Sequence, residues 1–488
     1  MGLAEGMEVA AGEMKAHHVS KTLNALCKLG EATGTISPSG WADLAEAVGR
    51  NAHEMDPQNV ANTLNVLSRL DAASAAVSHS AWAGLAEAVG NVSRDMTPQG
   101  AANTLNALVK LEAVTAEMLP SGWAGLAEAV ESAAREMKPQ ELAITLRAYG
   151  HLDAAAAAVS PLGWASLAEA VKVQARVMNA LDAANILNGF GKVEAAAAAM
   201  SPFGWAGLAG AVERTASEMN PQSVASVYNE FSKLEACAAA VSPLGWVGLA
   251  EAVGRNASEM DPQAVSNVYN GLSKLETAAA AVSPSGWAAL AEAVGRNASE
   301  MNQQAVAITY NGLGKMEAAA AAVSPSRWAA LAEAVGRTAS EMNPQAVAIT
   351  YNGLGKMEAA AAAVSTLGWV GLAEAVERTA SEMDPQAVAI TYDGLGKMEA
   401  AAAAVSTSGW AGLAEAVGRN ASEMNEREVS ISLYALGVLP AAAVLSPSTR
   451  KHLEAAAERE APNMTSQGRK MTLQGCERLK LRNPSSFL

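Results

Sequence analysis

Asparagine and lysine recur four residues apart along most of this chain. An asparagine amide donates and accepts hydrogen bonds, and a lysine ammonium donates and carries charge, so each pair joins a group that can read a base edge to one that can neutralise a phosphate. The pairs, with arginine or aspartate substituting once each, are Asn24 and Lys28, Asn65 and Arg69, Asn106 and Lys110, Asn188 and Lys192, Asn229 and Lys233, Asn270 and Lys274, Asn311 and Lys315, Asn352 and Lys356, Asp393 and Lys397. Arg147 and His151 occupy the same two places after the third pair.

The asparagines form one column of equivalent positions and the lysines form another. If the segments that carry them stack side by side, these columns become ladders of amides and cations. A ladder needs a repetitive partner, and single-stranded RNA is one, because cations can meet successive phosphates while amides contact bases, one base per helical repeat. The other interpretation is that asparagine and lysine are simply what a solvated helix face contains. The columns alone leave both interpretations open.

The tryptophans define the segments that position these residues. They are spaced 41 residues apart without a single insertion or deletion, at Trp41, Trp82, Trp123, Trp164, Trp205, Trp246, Trp287, Trp328, Trp369 and Trp410. A period of this length is typical of a solenoid, in which each repeat buries its apolar face against its neighbours.

Each repeat, counted from its methionine, carries two helix-start signals. The first is Asp or Asn before Pro, as in Asn343-Pro344, and the second is Ser-Pro, as in Ser283-Pro284; both place an N-cap before a proline at the first helical position. An apolar residue before the cap and another at the fourth helical position, such as Val323 with Trp328, form a hydrophobic staple. These signals predict two helices per repeat.

One apolar stripe marks each predicted helix. Val347, Tyr351 and Leu354 are spaced for one face of the first helix, which leaves positions four, eight, eleven and fifteen of the repeat outward. In the repeats that begin at Met301 and Met342 the outward set is the same: Gln304, Ile308, Asn311, Gly312 and Lys315 against Gln345, Ile349, Asn352, Gly353 and Lys356. We expect the alanine run 359–363 to extend the first helix, since alanine is the best helix former.

These patterns predict an all-α fold, an α-solenoid or superhelix of about eleven 41-residue helix-turn-helix repeats. The predicted organisation is an N-terminal tail at residues 1–13, the repeat array at 14–463, and a C-terminal capping helix and tail at 464–488. Polar substitutions in the last segment, which begins a twelfth first helix at Met464, suit a terminal repeat that faces water.

Composition excludes several classes of function. The 34 basic and 49 acidic residues leave a net charge of −15, whereas a nucleic-acid binder is usually basic; the acids, such as Glu333 and Glu341, concentrate on the second helix. No phosphate loop, metal-ligand spacing or catalytic set is present, the three cysteines match no disulfide or zinc pattern, and no apolar run reaches membrane-span length. The sequence therefore predicts no enzyme, no cofactor or metal, no small-molecule substrate and no membrane association.

Two segments carry a resemblance to a known family. PQNVANTLNVLSRL (residues 57–70) and PQGAANTLNALVKL (residues 98–111), each followed by a Pro-x-x-Trp turn or a close variant of it, resemble the octotricopeptide repeats of organelle RNA-binding proteins. The likeness covers most of the chain. Two departures are a slightly longer repeat and isoleucine at Ile144, Ile308, Ile349 and Ile390 in place of the asparagine at Asn62 and Asn103.

The resemblance implies a sequence-selective single-stranded RNA-binding protein that acts in processing, stability or translation of organelle transcripts. It implies RNA on the inner surface of the array and a location in the chloroplast or the mitochondrial matrix, although the acidic N-terminus lacks the features of a transit peptide. The alternative is a protein–protein interaction scaffold of armadillo or HEAT type, because such arrays have similar periods and bind peptides in their grooves.

Overall fold

The computed structural model describes residues 11–29, 33–34, 36–439 and 445–487. The described residues form α-helices, short 3₁₀ turns and loops, and contain no β-strand. The chain is an all-α array of tandem helical repeats, an α-solenoid, which confirms the predicted fold class.

Each repeat begins with a first helix that follows its methionine. Among the described residues the first helices are Ala16–Leu29, Pro57–Leu67, Pro98–Lys110, Pro139–Tyr149, Ala180–Lys192, Pro221–Phe231, Pro262–Leu272, Gln303–Leu313, Pro344–Leu354, Pro385–Leu395, Glu426–Val438 and Ser466–Leu479. The tryptophan helices, which carry the tryptophan or its equivalent at their fourth position, are Pro38–Asn51, His79–Val92, Pro120–Ala133, Pro161–Gln174, Pro202–Thr215, Pro243–Asn256, Pro284–Asn297, Pro325–Thr338, Thr366–Thr379, Thr407–Asn420 and Pro447–Glu460.

The predicted caps are formed. Asn343 accepts a hydrogen bond from the backbone N–H of Ala346 at 2.8 Å, and Ser283 accepts one from Gly286 at 3.1 Å. All ten tryptophans are buried at the starts of their helices, as the staple predicts. A 3₁₀ turn follows most tryptophan helices and leads to the next methionine; these turns are Ala52–Glu54, Ser93–Asp95, Ala134–Glu136, Ala175–Val177, Ala216–Glu218, Ala257–Glu259, Ala298–Glu300, Ala339–Glu341, Ala380–Glu382 and Ala461–Asn463, with a further one at Ser485–Phe487.

The alanine run does not extend the first helix, and this expectation is wrong. It forms a separate alanine helix, because Met357 lies between the two with extended backbone (φ −134°, ψ 96°) and redirects the chain. The break lets Ala360 become fully buried as the alanine helix packs against the preceding tryptophan helix. The described alanine helices are Asp71–Ala76, Glu112–Ala116, Asp153–Ala157, Glu194–Ala199, Glu235–Ala238, Glu276–Ala281, Glu317–Ala321, Glu358–Ala363 and Glu399–Ala404.

The chain divides into two compact units. The N-terminal unit comprises Met1–Met219 and Lys233–Gly245, and the C-terminal unit comprises Asn220–Ser232 and Trp246–Leu488. Within each unit the first helices pack side by side in one row and the tryptophan helices in another. The core lies between the rows, where for example the rings of Tyr351 and Trp369 stack with their centroids 6.5 Å apart.

Arginines at the ends of tryptophan helices tie successive repeats together. Arg337 donates to the carbonyl oxygen of Ala298 in the preceding repeat at 3.0 Å and to that of Met301, the first residue of its own repeat, at 2.8 Å. Arg378 makes the same two contacts one repeat later, with Ala339 and Met342. These cations therefore have a structural role.

The ends of the chain follow the repeat pattern where they are described. The predicted twelfth first helix is present as Ser466–Leu479, with Thr465 as its N-cap and Lys480 in the left-handed conformation (φ 55°) at its end. Most of the predicted N-terminal tail lies outside the described residues. The domain boundaries proposed from the sequence stay a prediction.

Candidate nucleic-acid interface

Every candidate residue lies on a first helix or in the turn that follows it. The position-eleven residues are half-buried, and they are Asn24, Asn65, Asn106, Asn188, Asn229, Asn270, Asn311, Asn352 and Asp393. The position-fifteen residues are exposed, and they are Lys28, Arg69, Lys110, Lys192, Lys233, Lys274, Lys315, Lys356 and Lys397. Since first helices pack side by side within each unit, both columns run along one face of the first-helix row.

The amide column is partly hydrogen-bonded to itself. Asn270 donates from Nδ2 to Oδ1 of Asn229 at 3.0 Å, and Asn352 donates to Asn311 over a longer 3.4 Å. In the N-terminal unit Arg147 donates to Asn106 at 2.9 Å. These bonds orient the amides, and each asparagine retains a second N–H that the bond to its neighbour does not use.

A cavity of about 320 Å³ opens on this face of the C-terminal unit. It brings together two of the predicted pairs with residues from the next two first helices. Its lining is Asn311, Lys315, Ile349, Asn352, Lys356, Gln386, Ala389, Ile390, Asn425, Arg427, Glu428 and Ile431. We call this cavity the lysine groove.

Arg427 is a lining residue that the sequence interpretation missed. It occupies position four of its repeat, where the three preceding repeats have Gln304, Gln345 and Gln386. Continuing that column into the last repeats would have identified it. Ile431 likewise continues the isoleucine column of Ile349 and Ile390.

The lysines of the groove repel one another. Partial burial, followed by the positive charges of Lys315 and Lys397, lowers the pKa of Lys356 below its ordinary value. Within the parts of the chain that the structure describes, no carboxylate lies within ion-pairing distance of Lys315 or Lys356. The carboxylate of Glu428, also in the lining, accepts a hydrogen bond from the backbone N–H of Asn425 at 2.9 Å, where it caps its own helix.

Lys397 differs from the two lysines before it. Its Nζ lies 2.6 Å from Oδ2 of Asp393, one helical turn earlier, and Lys397 is not part of the groove lining. Aspartate at position eleven therefore neutralises the lysine of its own repeat.

Two glycines of the predicted outward set do not face outward. Gly312 and Gly353 are buried, and a Cβ on Gly353 would lie 2.6 Å from the carbonyl carbon and oxygen of Tyr310. Position twelve thus contacts the preceding first helix. The shared outward set shrinks to positions four, eight, eleven and fifteen.

The N-terminal unit presents a different groove. A cavity of about 550 Å³ there is lined by Asp56, Pro57, Gln58, Ala61, Asn62, Asp95, Thr97, Gln99, Gly100 and Asn103. This lining contains two carboxylates and no cation. The lining includes no position-eleven or position-fifteen residue, so this groove lies beside the two columns.

The described residues include no group of three or more His, Cys, Asp or Glu side chains that could hold a metal ion. Burial, followed by the charge of Glu454, raises the pKa of Cys476 to about 11, and burial also raises the pKa of Cys237, so both are thiols at neutral pH. In the portion of the chain with described structure, none of the helices combines the length and apolarity of a membrane span.

Comparisons with known proteins give limited likenesses. A family of proteins of unknown function, DUF1601, matches residues 42–64 and 208–227, and no curated protein matches the chain. Among solved structures, a homology model of the full-length AP-3 complex in an intermediate open conformation shares 11% identity, covering 98% of this chain and 89% of that chain, with a TM-score of 0.30.

The crystal structure of SYS-1 shares 10% identity, with 97% of this chain and 100% of that chain covered, at a TM-score of 0.30. A circular tandem repeat protein with novel repeat topology shares 12% identity, with 97% and 96% covered, at a TM-score of 0.21. Similarity at this level carries no argument about the site.

Proposed function

We propose that this protein binds single-stranded RNA along its row of first helices, with the lysine groove of the C-terminal unit as the strongest contact. The observation that carries the proposal is the pair of exposed, unneutralised lysines Lys315 and Lys356, joined by Arg427 in one groove of a chain with net charge −15. Like charges held close together are unfavourable unless an anionic partner meets them.

The spacing of the cations suits an extended polyanion. Packed helices lie roughly 8 to 10 Å apart, whereas bases stacked as in a duplex strand rise about 3.4 Å. Successive lysines therefore match unstacked RNA better than duplex RNA, whose bases are held in regular stacks. The resemblance to octotricopeptide repeats supports the same function, in processing, stability or translation of chloroplast or mitochondrial transcripts.

A salt titration tests the proposal. Fluorescence anisotropy with oligouridylate should give an affinity that falls with salt, and replacing Lys315 and Lys356 by glutamine should reduce the slope of log K against log salt by about 0.7 for each lost phosphate contact. Lys172, paired with Glu169 on a tryptophan helix at 3.0 Å, is the matched control, and Lys172→Gln should leave the slope unchanged. Equal slopes in all variants would contradict phosphate contact.

A protein scaffold is the second candidate, and one observation favours it. Leu162, Phe203 and Leu244 occupy the same position in three successive repeats and are 66, 79 and 83% exposed, which is the kind of apolar row that a protein partner covers. Polyglutamate as a competitor tests whether the lysine groove itself selects RNA over an acidic peptide. If it displaces oligouridylate at equal charge concentration, the groove binds acidic peptides as readily as RNA.

A further inference from the structure

An isoleucine row lies in the lysine groove. Ile349, Ile390 and Ile431 occupy position eight of three successive repeats, are half-buried, and all line the groove. The equivalent positions in the N-terminal groove are Asn62 and Asn103. The cationic groove therefore has an isoleucine strip, whereas the groove with two carboxylates has asparagine at the equivalent positions.

The chemistry of the groove fits a ligand with an anionic part and an apolar part. Lys315, Lys356 and Arg427 supply the cations, and the isoleucines supply an apolar surface whose removal from water is favourable. A nucleotide has both parts, because its phosphate is anionic and the faces of its base are apolar. Hydrogen-bonding groups occur only at the edge of the base, where Asn311 and Asn352 are available.

The repeat spacing suits insertion of a planar group. A flat ring held between two aliphatic side chains needs about 7 to 8 Å between the flanking carbons, twice the contact distance of 3.5 to 4.0 Å. Neighbouring first helices carry successive isoleucines at roughly the helix-packing distance of 8 to 10 Å. A base between two isoleucines would thus contact both with little rearrangement.

We propose, on the basis of the RNA-binding function above, that the lysine groove clamps unpaired bases by their faces. One base lies between Ile349 and Ile390 and the next between Ile390 and Ile431. Their phosphates meet the lysines and Arg427, and Asn352, in the repeat of Ile349, faces the edge of the first base.

The first test changes the ligand. Oligouridylate is compared with the same oligomer carrying dihydrouridine, which keeps the hydrogen-bonding edge of uracil but has a puckered ring, and with an abasic oligomer, which keeps only the backbone. Face contact predicts that both bind about tenfold more weakly than oligouridylate, within the range of about 1 to 3 kcal/mol for a stacked base. Equal binding of uridine and dihydrouridine oligomers would overturn the clamp.

The second test changes the groove with a residue that the chain itself uses at this position. Ile390 flanks both proposed bases, and Ile390→Asn removes its apolar contact with each of them. We expect about tenfold weaker binding of oligouridylate and loss of the preference for uridine over dihydrouridine. Asn103→Ile in the N-terminal unit is the control and should leave binding unchanged. Thermal melting confirms that both variants fold.

The outcomes distinguish a failure of the base clamp from a failure of the proposed RNA-binding function. Salt-dependent binding that ignores ring planarity and the Ile390→Asn substitution would overturn the clamp and leave RNA binding intact. Absence of binding to any single-stranded RNA at low salt would overturn both.

Discussion

Gly353 lies directly against the backbone of Tyr310, one repeat earlier in the chain. A Cβ on Gly353 would be 2.6 Å from the carbonyl carbon and oxygen of Tyr310, and Gly394 has the same relationship with Tyr351. Side chains normally keep helix axes 8 to 10 Å apart, so backbone contact holds these first helices close to the lower limit. This contact sets the distance between successive lysines of the groove.

The first prediction concerns this contact. Gly353→Ala should lower the free energy of unfolding by about 1 to 3 kcal/mol, because the added methyl group forces the two helices apart. Gly336→Ala is the matched control, since its Cβ would meet nothing closer than the Cα of Gly368 at 3.8 Å. Alanine there should be neutral or stabilise by up to about 1 kcal/mol through helix propensity. Urea unfolding measures both, and equal effects would contradict the backbone contact.

The second prediction concerns the tyrosine column. Tyr351 is fully buried, and its hydroxyl has no hydrogen-bond partner among the described residues. A buried polar group without a partner costs about 1 to 3 kcal/mol. Tyr351→Phe removes the hydroxyl and keeps the ring that stacks on Trp369, so we expect the free energy of unfolding to rise by about 1 kcal/mol.

The control for this change is Tyr434→Phe. Tyr434 is only half-buried and lies under the guanidinium of Arg478, 5.6 Å from its ring centroid, so loss of its hydroxyl should alter stability little. Thermal and urea unfolding of both variants decide the matter. A destabilised Tyr351→Phe variant would mean that the hydroxyl is hydrogen-bonded after all.

Local patterns in the sequence predict the repeat length, the helix starts and the buried tryptophans, because caps and staples act within a few residues. The side of the helix that Gly353 occupies could not be predicted in this way. Position twelve lies between the outward face and the apolar stripe, and only the packing of the preceding first helix decides which side it joins. The Asn352–Asn311 bond joins residues 41 apart and depends on the same packing.

The break before the alanine helix is a second feature that local sequence patterns do not predict. Helix propensity favours continuation through the run after Lys356, but burial of Met357 and Ala360 against the neighbouring repeat outweighs it. The lysine column was predicted correctly as an exposed column. The neutralisation of Lys397 depends on the carboxylate of Asp393 beside it, which the column pattern does not predict.

The third prediction concerns proton binding in the lysine groove. The pKa of Lys356 is lowered from 10.5 by partial burial and by Lys315 and Lys397. Between the lowered value and 10.5 the unfolded chain binds more protons than the folded one, so this lysine makes stability rise with pH in that window. Lys315→Gln should move the pKa of Lys356 back towards 10.5 and weaken this rise.

NMR titration of the Lys356 side chain measures the shift. RNA binding should raise the pKa of Lys356, because bound phosphates favour the charged ammonium. The affinity for RNA should therefore fall as pH rises through the pKa of this lysine. Lys172→Gln should leave the titration unchanged, and an equal shift in that variant would indicate that general charge is responsible.

The last prediction uses Asp393, which alone distinguishes its repeat from the two before it at positions four, eight, eleven and fifteen. Asp393→Asn removes the carboxylate that lies 2.6 Å from Lys397 and places an amide where it can donate to Asn352, as Asn352 donates to Asn311. Release of Lys397 adds a phosphate contact, so RNA affinity should rise and the salt slope should steepen by about 0.7.

Because identical sites prefer identical bases, selection from random RNA should extend a run of two like bases to three. Glu374→Gln removes the same charge from an exposed position on a tryptophan helix and should do neither. Equal gains in both variants would mean that net charge alone drives binding, and an unchanged selected motif would refute recognition of one base per repeat.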